Sequence, residues 1–289
     1  MSRPSNHDYT FEVLRYDVCI GRTCMSTEIE SKLIIQSDHP ASVMKRITNL
    51  TGIGPYSIRE KHTQIMHDIY LDTHDNQMSL RKEALRLRET RESLWLCFKR
   101  AETVHAPGVF ERFELERLWS RQNLEELLEI AGLKHSIKRL PGIISRDPLE
   151  TLAALNLCII QDRQTSRTLL MLSDHTRHGR SIPAEIALDR VSYRIEGGTV
   201  LHFEVEVEAC DDSGLHHVSA VTRLLKNYCA PNLVPWNHNK LITGFALEHL
   251  TRKGVLFVPK DRVTLLSPDA YTTVNSLLAE REHWDRSFF

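Results

Sequence analysis

The amino-acid sequence predicts an α+β fold built on a closed, eight-stranded antiparallel β-barrel with outer helices. Three features lead there. About eight segments alternate between apolar and polar residues with the period of a strand. Only a few helical patterns interrupt them. Charged residues recur on the same face of one strand after another, and closing such a sheet removes the open edges it would otherwise carry.

Residues 1–26 show little periodicity and read as an N-terminal extension. The first strand is expected over residues 27–35, with Glu28, Glu30 and Lys32 on one face and Ile29 and Leu33 on the other. Pro40 opens a helix carrying Val43, Ile47 and Leu50, with Gly52 as its stop. Strand character returns over 63–72 and ends at the turn-forming His74-Asp75-Asn76. Residues 84–90, 94–100 and 109–119 follow as strands. Ser120 should cap a helix over 122–131 that Gly132 closes, and another should begin near Pro148. Strands resume at 157–165, 167–173, 184–193 and 200–209. Residues 215–228 and 241–250 have helical spacing, and Ser267-Pro268-Asp269 should start a last helix running toward Trp284. The main domain is thus expected over 27–230 and a helical C-terminal extension over 231–289. No Gly/Ser linker, low-complexity tract or fixed-period repeat divides the chain.

Composition narrows the function classes. The chain has 289 residues, enough for one sizeable core, with 41% apolar and 26% charged residues, the balance of a globular protein. A formal net charge of -1 supplies no basic field for nucleic acid or an anionic membrane, so any cationic cluster must be matched by acids. Cys19, Cys24, Cys97, Cys158, Cys210 and Cys229 are scattered and form no C-x-x-C pair, which suits reduced thiols. Neither a signal-peptide core nor a run of membrane-spanning length is present, and a cytoplasmic location is expected.

The charged rows carry the chemistry. Arg86 and Arg88 share a face, as do Arg112, Glu114 and Glu116, and Glu185 with Asp189. Glu204, Glu206 and Glu208 alternate with Phe203, Val205 and Val207. Any one row could face water and form cross-strand ion pairs. Three glutamates in a row, however, repel one another unless cations lie close. Turned inward, these faces would build a polar lumen whose carboxylates need Lys, Arg or metal ions beside them. Hard divalent cations take carboxylate and phosphate oxygens, and Lys and Arg grip phosphate. A polyanion held with a divalent metal is the ligand class that follows.

The order of these segments resembles the CYTH superfamily, the triphosphate tunnel metalloenzymes. Glu28-Ile29-Glu30-Ser31-Lys32 matches its E-x-E-x-K opening. The stretch from His67 to Thr73, Ala84-Leu85-Arg86-Leu87-Arg88, Leu96-Cys97-Phe98-Lys99 and Arg112-Phe113-Glu114-Leu115-Glu116 resemble its Y-x-D-T, A-L-R-x-R, L-T-x-K and R-x-E-x-E segments, with Cys97 in place of the usual Thr. Glu185-Ile186-Ala187-Leu188-Asp189 and the run from Phe203 to Glu208 resemble the later acidic strands. The resemblance spans roughly residues 27 to 230.

It implies a tunnel in which Lys32, Arg86, Arg88, Lys99, Arg112, Arg163, Arg167 and Lys226 hold phosphate oxygens. Arg167 fits less closely, being spaced more widely from Arg163 than the family's tighter pairs. Glu28, Glu30, Glu204 and Glu206 are the first candidates for holding Mg²⁺ or Mn²⁺, with Glu208 a third acid on its strand. Glu114, Glu116, Glu185 and Asp189 complete the acidic lining. Lys32, Glu204 and Glu206 are the catalytic candidates. The implied activity is metal-dependent hydrolysis of a small triphosphate, inorganic triphosphate first. Thiamine triphosphatase, class IV-type adenylate cyclase, RNA 5′-triphosphatase, polyphosphate polymerase and a non-catalytic polyphosphate-binding module are the alternatives. The partner expected is a small triphosphate, with no membrane and with nucleic acid disfavoured by net charge. Residues 231–289 could cap a tunnel end, pack outside or support a homodimer.

Other motifs are absent. Fifteen histidines include no H-E-x-x-H or Cys/His zinc spacing, and Gly52-Ile53-Gly54-Pro55 lacks the G-K-[ST] of a phosphate loop. Trp95, Trp119, Trp236 and Trp284 read as core or rim aromatics.

Overall fold

A computed structural model describes residues 26–100, 103–106, 109–133, 147–174, 182–210 and 214–280. The expected extension before Ser26, Cys19 and Cys24, and the end of the last helix toward Trp284 lie outside them.

Eight strands close into a ring. In chain order the ring members are β1 (Ser26–Ile35), β3 (Tyr56–Thr73), β4 (Ala84–Glu89), β5 (Leu94–Lys99), β7 (Val109–Leu118), β8 (Leu157–Asp174), β9 (Ala184–Ile195) and β10 (Gly198–Ala209). Around the ring the order is β1-β10-β9-β8-β3-β4-β5-β7 and back to β1, with every pairing antiparallel. Closure happens on β1, which pairs Glu28 with Arg112 on one edge and Glu30 with Glu208 on the other. Four short strands lie off the ring: β2 (Gly52–Ile53), β6 (Thr103–Ala106), β11 (Leu233–Pro235) and β12 (Val263–Leu265).

Alternation decides the layers. Odd-numbered residues of β10 and β1 (Val205, Val207, Leu33, Ile35) point outward into an apolar layer under α1 (Pro40–Thr48) and α5 (Gly214–Tyr228). Leu85, Leu87, Leu96, Phe98 and Leu115 do the same under α3 (Arg121–Ile130) and α4 (Pro148–Ala154). A third layer holds Val191, Tyr193, Val200 and Trp236 against α6 (Lys240–Arg252) and α7 (Pro268–Ala279). The remaining helix, α2 (Gln77–Leu80), sits between β3 and β4. The helices α1, α3, α4 and α5 therefore cover the outward apolar faces, whereas α6 and α7 pack on the inward face at one end, where Val191, Tyr193 and Val200 share the side of Asp189 and Glu204.

Local signals set several boundaries as expected. Ser120 caps α3 by accepting from the Asn123 N–H at 3.1 Å, and Ser267 caps α7 by accepting from the Ala270 N–H at 3.2 Å. Glu196 and Gly197, at φ +48° and +83°, form the two-residue turn between β9 and β10, the left-handed pair that suits a tight hairpin.

Two readings change. Residues 157–165 and 167–173, read as separate strands, form the single 18-residue β8. Ser166, left between the two expected strands, pairs with both Ile65 and Arg190 in mid-strand. Likewise β3 begins at Tyr56, well before residue 63, because its charged first half pairs along β8. The segment after residue 230 is not wholly helical, since β11 extends the edge of β1 and β12 pairs in parallel with β10.

Candidate active site in the lumen

The ring encloses a cavity of about 840 Å³. Its wall carries Lys32, Arg86, Arg88, Lys99, Arg112, Arg163 and Arg167, seven of the eight expected cations, with Glu28, Glu114, Glu116, Asp189, Glu206 and Glu208 among them. Arg163 and Arg167 are four residues apart on β8 and so share a face, which brings the less expected Arg167 into the set. Lys226 does not line the cavity. It lies on α5, whose buried face packs Val218, Val221 and Leu225 against the outside of the ring.

Lys240 supplies a cation from another direction. It is the first residue of α6, whose start is capped by Asn239 Oδ1 accepting from the Ile242 N–H at 3.0 Å. Its ammonium donates to Glu204 at 2.6 Å and Glu206 at 2.5 Å and lies 3.1 Å from Asp189. Burial opposes the charge, but these three carboxylates raise the Lys240 pKa well above the usual lysine value. Against the cost of burial, Arg167 and Lys240 hold Asp189, and Lys240 and Arg167 hold Glu206, below the usual carboxylate range. Behind Lys240, fully buried Glu204 also accepts from His202 Nε2 at 2.9 Å, and His202 Nδ1 meets the Tyr271 hydroxyl at 3.1 Å. Glu204 therefore stands behind Lys240 and does not line the cavity.

A second cluster surrounds Asp68, which the sequence reading passed over. Its carboxylate, fully buried, accepts from Arg88 Nε at 2.7 Å, Arg88 Nη2 at 3.1 Å and Arg163 Nη2 at 3.2 Å. Arg86 Nε lies 3.5 Å away. Desolvation works against the charge, yet three guanidiniums hold Asp68 well below its ordinary value. Tyr70 accepts from Arg163 Nη2 at 2.7 Å. Nε and Nη1 of Arg163 and Nε of Arg86 are buried N–H donors with no hydrogen-bond partner. Asp72, by contrast, serves structure: its carboxylate accepts from the N–H groups of Thr73, Met78 and Ser79 and holds α2.

The third cluster is acidic. Glu28, Glu30 and Glu208 can each bring a carboxylate oxygen within 4.8 Å of the other two. Glu30 is fully buried, and Oε1 lies 3.0 Å from Lys32 Nζ and 2.8 Å from Arg112 Nη2, though neither approach is aligned as a hydrogen bond. Its Oε2 has no hydrogen-bond partner. Burial raises the Glu30 pKa and, with Glu28, Glu185 and Glu206 nearby, lifts Glu208 well above the carboxylate range. For Glu28 burial acts upward too, but Lys99 and Arg112 outweigh it and hold the group well below normal. Burial and the Glu28 charge push Glu114 up to about 8. All-oxygen donors in a group of three, one with an orphaned buried atom, fit a hard divalent cation.

The expected acids thus divide. Glu28, Glu30 and Glu208 converge, with buried Glu185 paired across the ladder from Glu208. Glu204, Glu206 and Asp189 are engaged by Lys240 and Arg167. Glu114 and Glu116 face Lys99 and Arg86, at 2.7 and 3.2 Å. In the sequence, Asp68 was visible as an acid on the inward face with Tyr70. Lys240 carried only a helix-start signal, 34 residues from Glu206.

The four cysteines among the described residues form no disulfide; Cys97 donates to Glu116 at 3.3 Å, and burial pushes its thiol up to about 12. No helix among the described residues is long and apolar enough to cross a membrane.

Comparison with known proteins agrees with the residue pattern. The CYTH domain model matches residues 26–226. Among solved structures, HpAC1 from Hippeastrum, described as having a dominant triphosphatase activity, is 18% identical, covers 80% of this chain and 97% of its own, and has a TM-score of 0.49. A Bacillus halodurans protein named for a proposed adenylate cyclase activity is 20% identical over 75% of this chain and 97% of its own, at 0.44. The S. pombe Pct1 RNA triphosphatase is 9% identical over 73% and 86%, at 0.34. No curated protein matches the chain. Since the matched model spans 26–226 of 289 residues, this chain belongs to the CYTH domain family.

Proposed function

We propose that the protein is a cytoplasmic, metal-dependent triphosphatase that binds a small triphosphate in the lumen and cleaves its terminal phosphoanhydride bond. The observation that carries this reading is the pairing of buried guanidinium N–H donors without hydrogen-bond partners on Arg86 and Arg163 with an acidic group of three, two of whose members, Glu28 and Glu208, line the same cavity. Donors of that kind cost free energy until an anion accepts from them. Lys and Arg outnumber Asp and Glu in the cavity wall, ten to eight, a surplus that suits a polyanion.

Glu28, Glu30 and Glu208 would hold Mg²⁺ or Mn²⁺. Such an ion, when bound, neutralises phosphate charge and acts as a Lewis acid toward it. Arg86, Arg88 and Arg163 on one wall and Lys99 and Arg112 on another exchange their carboxylate partners for phosphate oxygens. Lys32, 3.0 Å from Glu30, stabilises charge building on the transferred phosphoryl group. Glu206, held ionised, is a weak base; its part is to orient water, which is most of what a loose phosphoryl transfer needs. Glu204 holds Lys240 in place. Lys226 has no part in the site.

Phosphate release from inorganic triphosphate with Mg²⁺, Mn²⁺ or EDTA tests the reading, with Glu28→Gln/Glu30→Gln as control. Metal-dependent release lost in the variant supports it. Failure of every triphosphate to bind or turn over overturns it.

A further inference from the structure

The inward row of β10 does not end with its glutamates. His202 stands two residues before Glu204 on the same face and is fully buried. The rings of Tyr193, Trp236 and Tyr271 surround it, with centroids 6.3, 6.4 and 5.6 Å away. Both of its nitrogens have partners: Nε2 meets Glu204 Oε2 at 2.9 Å, and Nδ1 meets the Tyr271 hydroxyl at 3.1 Å. The proton positions follow. The Phe203 N–H, which can only donate, reaches the Tyr271 oxygen at 3.1 Å and leaves the hydroxyl proton for His202 Nδ1. The ring proton then sits on Nε2 and is donated to Glu204. Burial raises the Tyr271 pKa, so the hydroxyl keeps the proton it gives. The other oxygen of Glu204 accepts from Lys240, whose ammonium also donates to Glu206. One continuous chain of hydrogen bonds therefore runs from Tyr271 on α7 through His202, Glu204 and Lys240 to Glu206 at the cavity wall.

We propose that His202 and Tyr271 are positioning residues for the reaction: they hold Glu204 in one orientation, Glu204 fixes the Lys240 ammonium, and the ammonium sets the place of the water-orienting Glu206. The inference rests on the triphosphatase reading above. A glutamate gripped by Lys240 alone is free to turn about its last, broad torsion and to carry the ammonium with it. A donor on each carboxylate oxygen, one from β10 and one from α6, locks that torsion. The Lys240 backbone is held as well, its carbonyl accepting from the Tyr193 hydroxyl at 2.8 Å. Packing alone would be served as well by Leu and Phe at positions 202 and 271, since a buried polar pair adds little net stability over apolar groups of the same shape. Lys240 and Tyr271 both lie beyond residues 26–226, so the chain after the matched domain completes the site.

The test measures kcat and KM with Mn²⁺ for whichever of inorganic triphosphate, thiamine triphosphate and ATP is turned over. It also follows the NMR signal of the Lys240 ammonium, identified by its absence in Lys240→Met. Tyr271→Phe removes one oxygen, His202→Leu removes both ring nitrogens, and His202→Gln keeps an amide N–H for Glu204. Val274→Ala loosens α7 one turn further on, in the same apolar layer, and removes no member of the chain. In Tyr271→Phe and His202→Leu, kcat should fall by about tenfold with KM within about twofold, and the ammonium signal should shift or broaden. His202→Gln should regain most of the loss, and Val274→Ala should match the wild type in both readouts. Unchanged kcat in Tyr271→Phe and His202→Leu overturns the proposal while leaving the triphosphatase reading intact, as does a loss carried by KM or shared by Val274→Ala. If the wild type turns over no triphosphate, the signal decides. Its change in Tyr271→Phe and His202→Leu but not in Val274→Ala upholds the chain to Lys240 and removes the triphosphatase reading; a signal unmoved in every variant but Lys240→Met removes both.

Discussion

Asp68→Asn tests whether the lumen is a balanced set of buried charges. The substitution keeps shape and one acceptor oxygen but removes the full charge on which Arg86, Arg88 and Arg163 converge, at 3.5, 2.7 and 3.2 Å, leaving Arg86 and Arg88 with Glu116 at 3.2 and 3.7 Å. Deleting one member of a buried ion pair costs about 3–5 kcal/mol, because the partner stays buried and uncompensated. Arg163 loses its carboxylate altogether while Glu116 still serves Arg86 and Arg88, and about 4 kcal/mol, the middle of that range, is expected. For a chain of this size each kcal/mol moves Tm by about 2–4 °C, so a fall of roughly 8–16 °C is expected. The released guanidiniums should then take an anion more readily. Inorganic triphosphate in a thermal-shift assay should therefore raise Tm further in the variant than in the wild type. A fall smaller than about 2 °C, or equal ligand gains in both proteins, refutes the reasoning.

The same residue has a pH signature. Its folded pKa is depressed, so its stabilisation is fully present above the unfolded value near 3.9 and is lost as pH falls through the folded pKa. The stability gap between wild type and Asp68→Asn, followed by urea titration, should be flat above about pH 5 and close in stronger acid; a gap that widens in acid contradicts it. Glu30→Gln should weaken Mn²⁺ binding measured without substrate by at least about tenfold, and unchanged affinity would move the metal away from this group. Lys240→Met leaves Asp189, Glu204 and Glu206 without their shared ammonium and should cost about 3–5 kcal/mol. Lys226→Ala should stay within about 0.5 kcal/mol and leave triphosphate Kd unchanged, the opposite of what the sequence pattern suggested. Ser120→Ala should lower stability by about 1 kcal/mol through loss of the α3 cap, read as a shifted urea midpoint.

Much of the architecture is written locally. Period-two alternation in segments such as Phe203 to Glu208 sorts side chains onto two faces without any tertiary information, because successive Cβ atoms must point oppositely. Ser120 and Ser267 mark helix starts because their hydroxyls meet backbone N–H groups a few residues on. These signals act over one turn or one strand, and the residues that produce them are neighbours in the chain. The same locality misled at β8, where Ser166 was left between two strands although strands on both sides supply its partners.

Which face turns inward, and which acids meet, belongs to tertiary structure. Alternation is symmetric between inside and outside; pairing of β1 with both β7 and β10 closes the ring and encloses the charges. Glu30 and Glu208 meet because they are register partners separated by most of the chain, and no spacing rule reaches that far. Lys226 and Lys240 are both lysines on helices after β10, and sequence order favours the nearer. Packing of α5 outside the ring and the placement of α6 across its mouth reverse that choice. The sequence by itself determined the strands, their charged faces and the chemistry those faces suit. The three-carboxylate group, the Asp68 hub and the place of Lys240 were decided by closure and helix packing, because each is assembled from residues whose contacts exist only once the ring has formed.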